Sequence, residues 1–143
     1  MPDSTSNKLL SGLQRIANKE HKQVHALSIE MIKTDVQDPV PYCLLGTIAA
    51  EHGNHIKALE LLERAAQLGP QNPYFHAYHG QGLTILGRQQ DAKTAADRAS
   101  QLIIKDAHLA DTIGVIYSRT GFHESAVPFF EKAVALNLSL IHI

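Results

Sequence analysis

The sequence predicts an all-α chain of about four antiparallel helix pairs, each burying its apolar side against a neighbour. Three observations carry this reading. Glycines stand at Gly12, Gly46, Gly80 and Gly114, a constant step of 34 positions, and a fixed period of that size is the mark of stacked helical repeats. Further registers keep the same step: Gly53, Gly87 and Gly121; Ala58, Ala92 and Ala126; Ala65, Ala99 and Ala133. Within each period apolar residues recur at spacings of three and four, which aligns them along one face of a helix. With 44% hydrophobic and 19% charged residues among 143, the chain has apolar material enough to fold.

The first repeat, residues 5–38, keeps Gly12 and the apolar Leu9, Leu10, Ile16, Val24 and Leu27, but matches the others least well. The second, 39–72, is the clearest. Asp38-Pro39 sets a side-chain acceptor ahead of a proline suited to the first helical turn. Tyr42, Leu45 and Ala49 then mark one face of the first helix, and Ile56, Leu59, Leu62 and Ala65 one face of the second. Gly46 and Ala58 are small where the two helices cross, which lets the axes approach to roughly 8 to 10 Å. Gly53 falls just past the first helix, where a left-handed residue closes the turn and only glycine adopts it freely. Gly69-Pro70 stops the second helix.

The third repeat, 73–106, opens on an equivalent cap, Asn72-Pro73, and builds its second helix on Ala92, Ala95, Ala96 and Ala99. Ile104 stands one period after Pro70, so its end is less firmly encoded. The fourth, 107–137, opens at Asp106 and has Leu138 at the corresponding stop. Pro128, inside its second helix, removes one backbone bond and predicts a kink near Glu124.

Two runs, Tyr42-Cys43-Leu44-Leu45-Gly46 through Pro70 and Ile113-Gly114-Val115-Ile116-Tyr117 through Ala133, resemble the tetratricopeptide repeat family. The resemblance implies a right-handed superhelical solenoid, with residues 1–143 forming a single array and 5–38 a degenerate capping repeat in which Val24 replaces a small residue. His76 and His79 stand where the family carries large apolar side chains, so the third repeat is expected to be the least stable. The tail Leu138 to Ile143 looks like an in-frame translation of a transposon end used in shotgun DNA sequencing. On that reading it is non-native, the natural chain continues beyond Asn137, and Asn137-Leu138-Ser139 is no glycosylation signal.

Thirteen basic residues against 14 acidic ones leave a formal net charge of -1. Such a balance supplies no basic field for a phosphate backbone or an anionic membrane, so neither nucleic acid nor membrane is an expected partner. Cys43 is the single cysteine, and Met1 to Leu10 hold no apolar run of signal-peptide length, which points to a cytoplasmic protein. His21 with His25, and His76 with His79, have one-turn spacing but no third ligand in sequence, so no metal or other cofactor is expected. Gly80-Gln81-Gly82 belongs to the repeat and precedes no Gly-Lys-Ser/Thr. Nothing near Cys43 would activate its thiol. The chain is expected to be no enzyme.

The family resemblance implies that the first helix of each pair lines a concave groove for an extended peptide or a partner helix. The period then selects Val40, Cys43, Thr47 and Glu51, followed by Tyr74, Ala77, Gln81 and Ile85. In the fourth repeat it selects His108, Asp111, Val115 and Arg119. Tyr74 and Arg119 are the expected anchors, since aromatic and guanidinium groups dominate binding hot spots. The basic clamp by which the family's chaperone-tail binders hold a terminal carboxylate is missing, its places taken by Cys43, Thr47, Ala77, Gln81 and Asp111. The expected function is a non-catalytic protein–protein interaction scaffold, with self-association through an uncapped C-terminal end. An alternative is the N-terminal repeat region of a larger enzyme, because Leu109 to Ala133 looks like segments preceding bacterial sulfotransferase or glycosyltransferase domains. An RNA-binding helical repeat is disfavoured by the lack of a basic groove.

Overall fold

The computed structural model describes residues 4–141, and side chains as far as Leu138. Among these residues there are eight α-helices in four helix–turn–helix pairs, and no strand. The all-α expectation therefore holds. The chain divides into two compact units after Phe75.

The first unit comprises α1 (Ser4–Ala17), α2 (His21–Thr34), α3 (Pro39–Glu51), α4 (His55–Leu68) and the opening turn of α5 (Pro73–Ile85). At its centre lies α3, in contact with α1, α2 and α4. A helix apolar nearly all round is buried nearly all round, and Val40, Pro41, Cys43, Leu44 and Ile48 are covered accordingly. Tyr42, Leu45 and Ala49, the face selected by spacing, are only half-buried. The expected phase of α3 is corrected on that point, because apolar residues on both sides leave periodicity little to discriminate.

The capping acceptors work as the sequence suggests. Asp38 accepts the Val40 N–H at 3.0 Å, and Asn72 accepts that of Tyr74 at 2.9 Å. The Asn72 amide also donates to Ser6 at 3.1 Å, tying the α4–α5 corner to α1. Asn54, which the sequence reading passed over, caps α4 through the Lys57 N–H. Gly53 is left-handed, with φ of 80°. One period earlier the same conformation falls on Lys19, at 68°, where a Cβ makes it costly. Gly69 has another purpose: a Cβ there would stand 2.7 Å from the Phe75 ring and 3.1 Å from Pro39.

The second unit holds the remainder of α5, then α6 (Gln89–Ser100), α7 (Ala107–Arg119) and α8 (His123–Ile141). Gly87 and Gly121 take the left-handed turns, at 76° and 88°. Asp106 caps α7 through the His108 N–H at 2.8 Å. The weak stop after α6 appears as an early end at Ser100, followed by an irregular stretch through Asp106 in which Ile104 is buried and Ile103 exposed. Helix α8 runs unbroken past Pro128, which lies in its second turn with the exposed Glu124 one turn behind, so the unmatched carbonyl can be hydrated. The helical backbone continues from Leu138 to Ile141, and the rest of the suspected tail, His142 and Ile143, lies outside the described residues.

How the small crossing residues are covered differs from pair to pair. A Cβ on Gly46 would lie 2.9 Å from Leu62, and one on Gly114 would lie 2.8 Å from Phe130, so in these pairs the second helix covers the first. One period before Leu62 stands Ser28, and one period before Phe130 stands Ala96; both are short. In those pairs cover comes from the next helix instead: Leu44 stands 2.6 Å from the ideal Cβ of Gly12, and Ile116 2.8 Å from that of Gly80.

Candidate functional site

In the second unit, α5 and α7 bound a cavity of about 190 Å³ lined by Gln81, Thr84, Ile85, Val115, Ile116 and Arg119. On α5 Thr84 and Ile85 lie three and four positions after Gln81, and on α7 Val115 and Arg119 are one turn apart, so each helix contributes a single face. Four expected groove residues, Gln81, Ile85, Val115 and Arg119, thus meet around one cavity. Thr84 is occupied locally, donating to the Gly80 carbonyl at 2.9 Å. The Arg119 guanidinium and the Gln81 amide make no hydrogen bond or ion pair with any described residue, and Arg119 is exposed. Beside them Ile85 leaves 51% of its surface in solvent. A free cationic fork and a free amide next to apolar surface can take a backbone carbonyl or carboxylate together with an apolar side chain. Asp111 and His108 lie further along α7, both exposed.

Other expected positions fare differently. Val40, Cys43 and Ala77 are wholly buried, and Tyr74 nearly so, and none offers a partner surface. For Val40 and Cys43 the reason is the position of α3 among three helices. Tyr74 buries its ring, as a large aromatic surface favours, and only Arg119 of the two expected anchors stays accessible. Thr47 donates to the Cys43 carbonyl at 2.9 Å and is half-buried. Glu51 is exposed but engaged, 3.3 Å from Nε2 of His21. Burial pushes the Cys43 thiol up to about 12, with a Thr47 hydrogen bond acting weakly against it. Such a thiol is a poor nucleophile.

His21, at the start of α2, lies 5.4 Å, ring to ring, from His52 at the end of α3. Among the described residues no group of three or more His, Cys, Asp or Glu side chains converges in a way that could hold a metal ion. No helix there is long and apolar enough to cross a membrane.

A model of the tetratricopeptide repeat family matches residues 107–139, the stretch that carries α7 and most of α8. Residues 107–139 are a tetratricopeptide repeat, and the chain as a whole is similar to proteins of that family. Anaphase-promoting complex subunit 3 of Schizosaccharomyces pombe is 24% identical over 111 residues, spanning 78% of this chain and 17% of that protein. The chain spans less than a quarter of the length of the curated relatives it matches. Two solved structures share its fold. MamA superposes with a TM-score of 0.65 at 20% identity, covering 92% of this chain and 77% of that one. YrrB, described as a TPR protein with an unusual peptide-binding site, superposes with a TM-score of 0.64 at 18% identity, covering 77% and 57%.

Sequence reasoning missed a larger cavity in the first unit, between α1 and α2. Its signal was in the repeat register: Lys8, Ser11 and Arg15 line it and stand one period before Tyr42, Leu45 and Ala49. Substitution of large side chains by small or polar ones leaves space that is visible as absent volume rather than as a motif.

Proposed function

We propose that this chain is a non-catalytic interaction scaffold which receives an extended peptide or a partner helix on the α5–α7 face of its second unit. The observation that carries the reading is the cavity bounded by Gln81, Ile85, Val115 and Arg119, with the guanidinium and the amide uncommitted beside apolar surface. The described peptide binding of YrrB, a relative in fold, supports the same mode of use. The preferred ligand places an apolar side chain between Ile85 and Val115 and an acidic side chain or free carbonyl on Arg119. Of the other expected groove residues in this unit, His108 and Asp111 are exposed and serve as peripheral contacts. A peptide array probed with the purified chain tests this. Arg119→Glu should lower affinity for its best ligands about tenfold or more, as loss and reversal of a charged contact implies, and Ile85→Asp should act similarly. Unchanged binding by both variants would remove the site.

The outer face of α8 favours a second property, self-association. Val127, Val134 and Leu138, spaced at seven and four, leave 50%, 57% and 49% of their surfaces exposed, an apolar stripe of the kind that marks an interaction site. Sedimentation at rising concentration should show oligomers that Val134→Glu dissolves. That the array belongs to a larger protein, an enzyme included, is tested by reading the gene beyond Asn137.

A further inference from the structure

The first helix pair carries a different recess. Between α1 and α2 lies a cavity of about 580 Å³, a size usual for ligand sites. Its apolar lining is Leu27, Met31 and Leu44, beside Gly12 and Ser11. In the second and fourth pairs the helix crossing is filled from within, by Leu62 against Gly46 and Phe130 against Gly114. Here Ser11, one period before Leu45, lines the cavity with a short side chain. Leu44 covers Gly12 but does not close the remaining space.

The rim is unequal in charge. Lys8 and Arg15 face Glu30, Asp35 and Asp38. Arg15 is engaged by Glu20 at 3.4 Å, and Glu30 by Lys33 at 3.5 Å. Asp35 and Asp38 accept only the backbone N–H groups of Gln37 and Val40 and have no cationic partner among the described residues. Asp35 stands at the C-terminal end of α2, whose unmatched carbonyls add negative potential, while Asp38 caps the N-terminus of α3.

The geometry points to this cavity as a receptor for one large apolar side chain of a partner peptide, flanked by a lysine or arginine that meets Asp35 and Asp38. The incoming side chain packs on Leu27, Met31 and Leu44. This site is separate from the α5–α7 face and independent of it.

The test uses the full chain labelled with nitrogen-15 and titrated with acetyl-Phe-Lys-amide, with acetyl-Ala-Lys-amide and acetyl-Phe-Glu-amide as comparators. Saturable shifts of the Gly12, Leu27 and Met31 amides are expected with the first probe only. Ser11→Phe, which fills the cavity, should abolish them while the helical circular dichroism is retained, and Leu27→Trp should do the same if the first variant fails to fold. Asp35→Asn should weaken binding about threefold, as an exposed ion pair allows. Arg119→Glu should leave it unchanged, which separates this site from the α5–α7 face. Absence of shifts at these amides, shifts that survive in both folded filling variants, or equal binding of the Phe-Glu probe would overturn the inference. So would loss of a concentration-dependent oligomer on filling, which would make a second copy the occupant.

Discussion

Lys19 occupies a left-handed turn that glycine holds in each of the other three pairs. The penalty for a Cβ there is about 1 kcal/mol, so Lys19→Gly should raise the unfolding free energy by about that amount, read as a higher urea midpoint with unchanged slope. Gly53→Ala should cost a similar amount through the reverse change, although a Cβ there meets no atom within 4 Å. Cys43 gives a pH signature. Its thiol is raised from 9.0 to about 12 in the fold, so the unfolded chain ionises first. Stability is then fully present below about pH 9 and declines as pH rises toward 12. Tyr117, raised from 10.0 to about 12 by burial and by its bond to Asp97, adds to the same alkaline loss. Urea midpoints at pH 8 and 10 should fall for the natural chain, and fall less for Cys43→Ala. Iodoacetamide should label Cys43 in denaturant but scarcely in the native state.

At the scale of elements, α6 and α7 are joined by a polar clasp. The Tyr117 hydroxyl donates to Asp97 at 2.6 Å, while Lys93 on the same helix as Asp97 donates at 2.8 Å and sits 5.1 Å from the Phe122 ring. Burial by itself would raise the Asp97 carboxyl, but the Lys93 ammonium and the Tyr117 hydroxyl outweigh it and hold the group below its usual range. That contribution is present above the ordinary carboxylate range and is lost as pH falls through the lowered value. Tyr117→Phe should cost about 1 kcal/mol in thermal or urea unfolding, the usual net worth of such a bond. Helix α6 otherwise presents Ala92, Ala95, Ala96 and Ala99 to its neighbours, and methyl groups bury little apolar area. Hydrogen exchange should therefore be faster in α6 and in Leu102 to Lys105 than in α3, α4 or α7. Equal protection would mean that the clasp makes up for the small core.

For the molecule as a whole, helix pairs were legible because a small residue at each crossing, a turn glycine after three of the first helices and a cap before three of them recur in step. Three things were not. Periodicity misjudged α3, since a segment with Val40, Cys43 and Leu44 on one side and Tyr42 and Leu45 on another has no single apolar face. Register transferred positions but not depth, which is why Gln81, Ile85, Val115 and Arg119 meet at a cavity while Val40, Cys43, Tyr74 and Ala77 are covered. The turn at Lys19 and the recess beside Ser11 were hidden because each is a departure from the pattern that made the rest readable. The covering of Gly12 by Leu44 and of Gly80 by Ile116 has an engineering consequence. Pairs that borrow a lid from their successor cannot be excised, duplicated or shuffled singly: a cut after Ser100 would strip α5 of the side chain that seals it, so the smallest portable piece of this chain is two pairs in their native order.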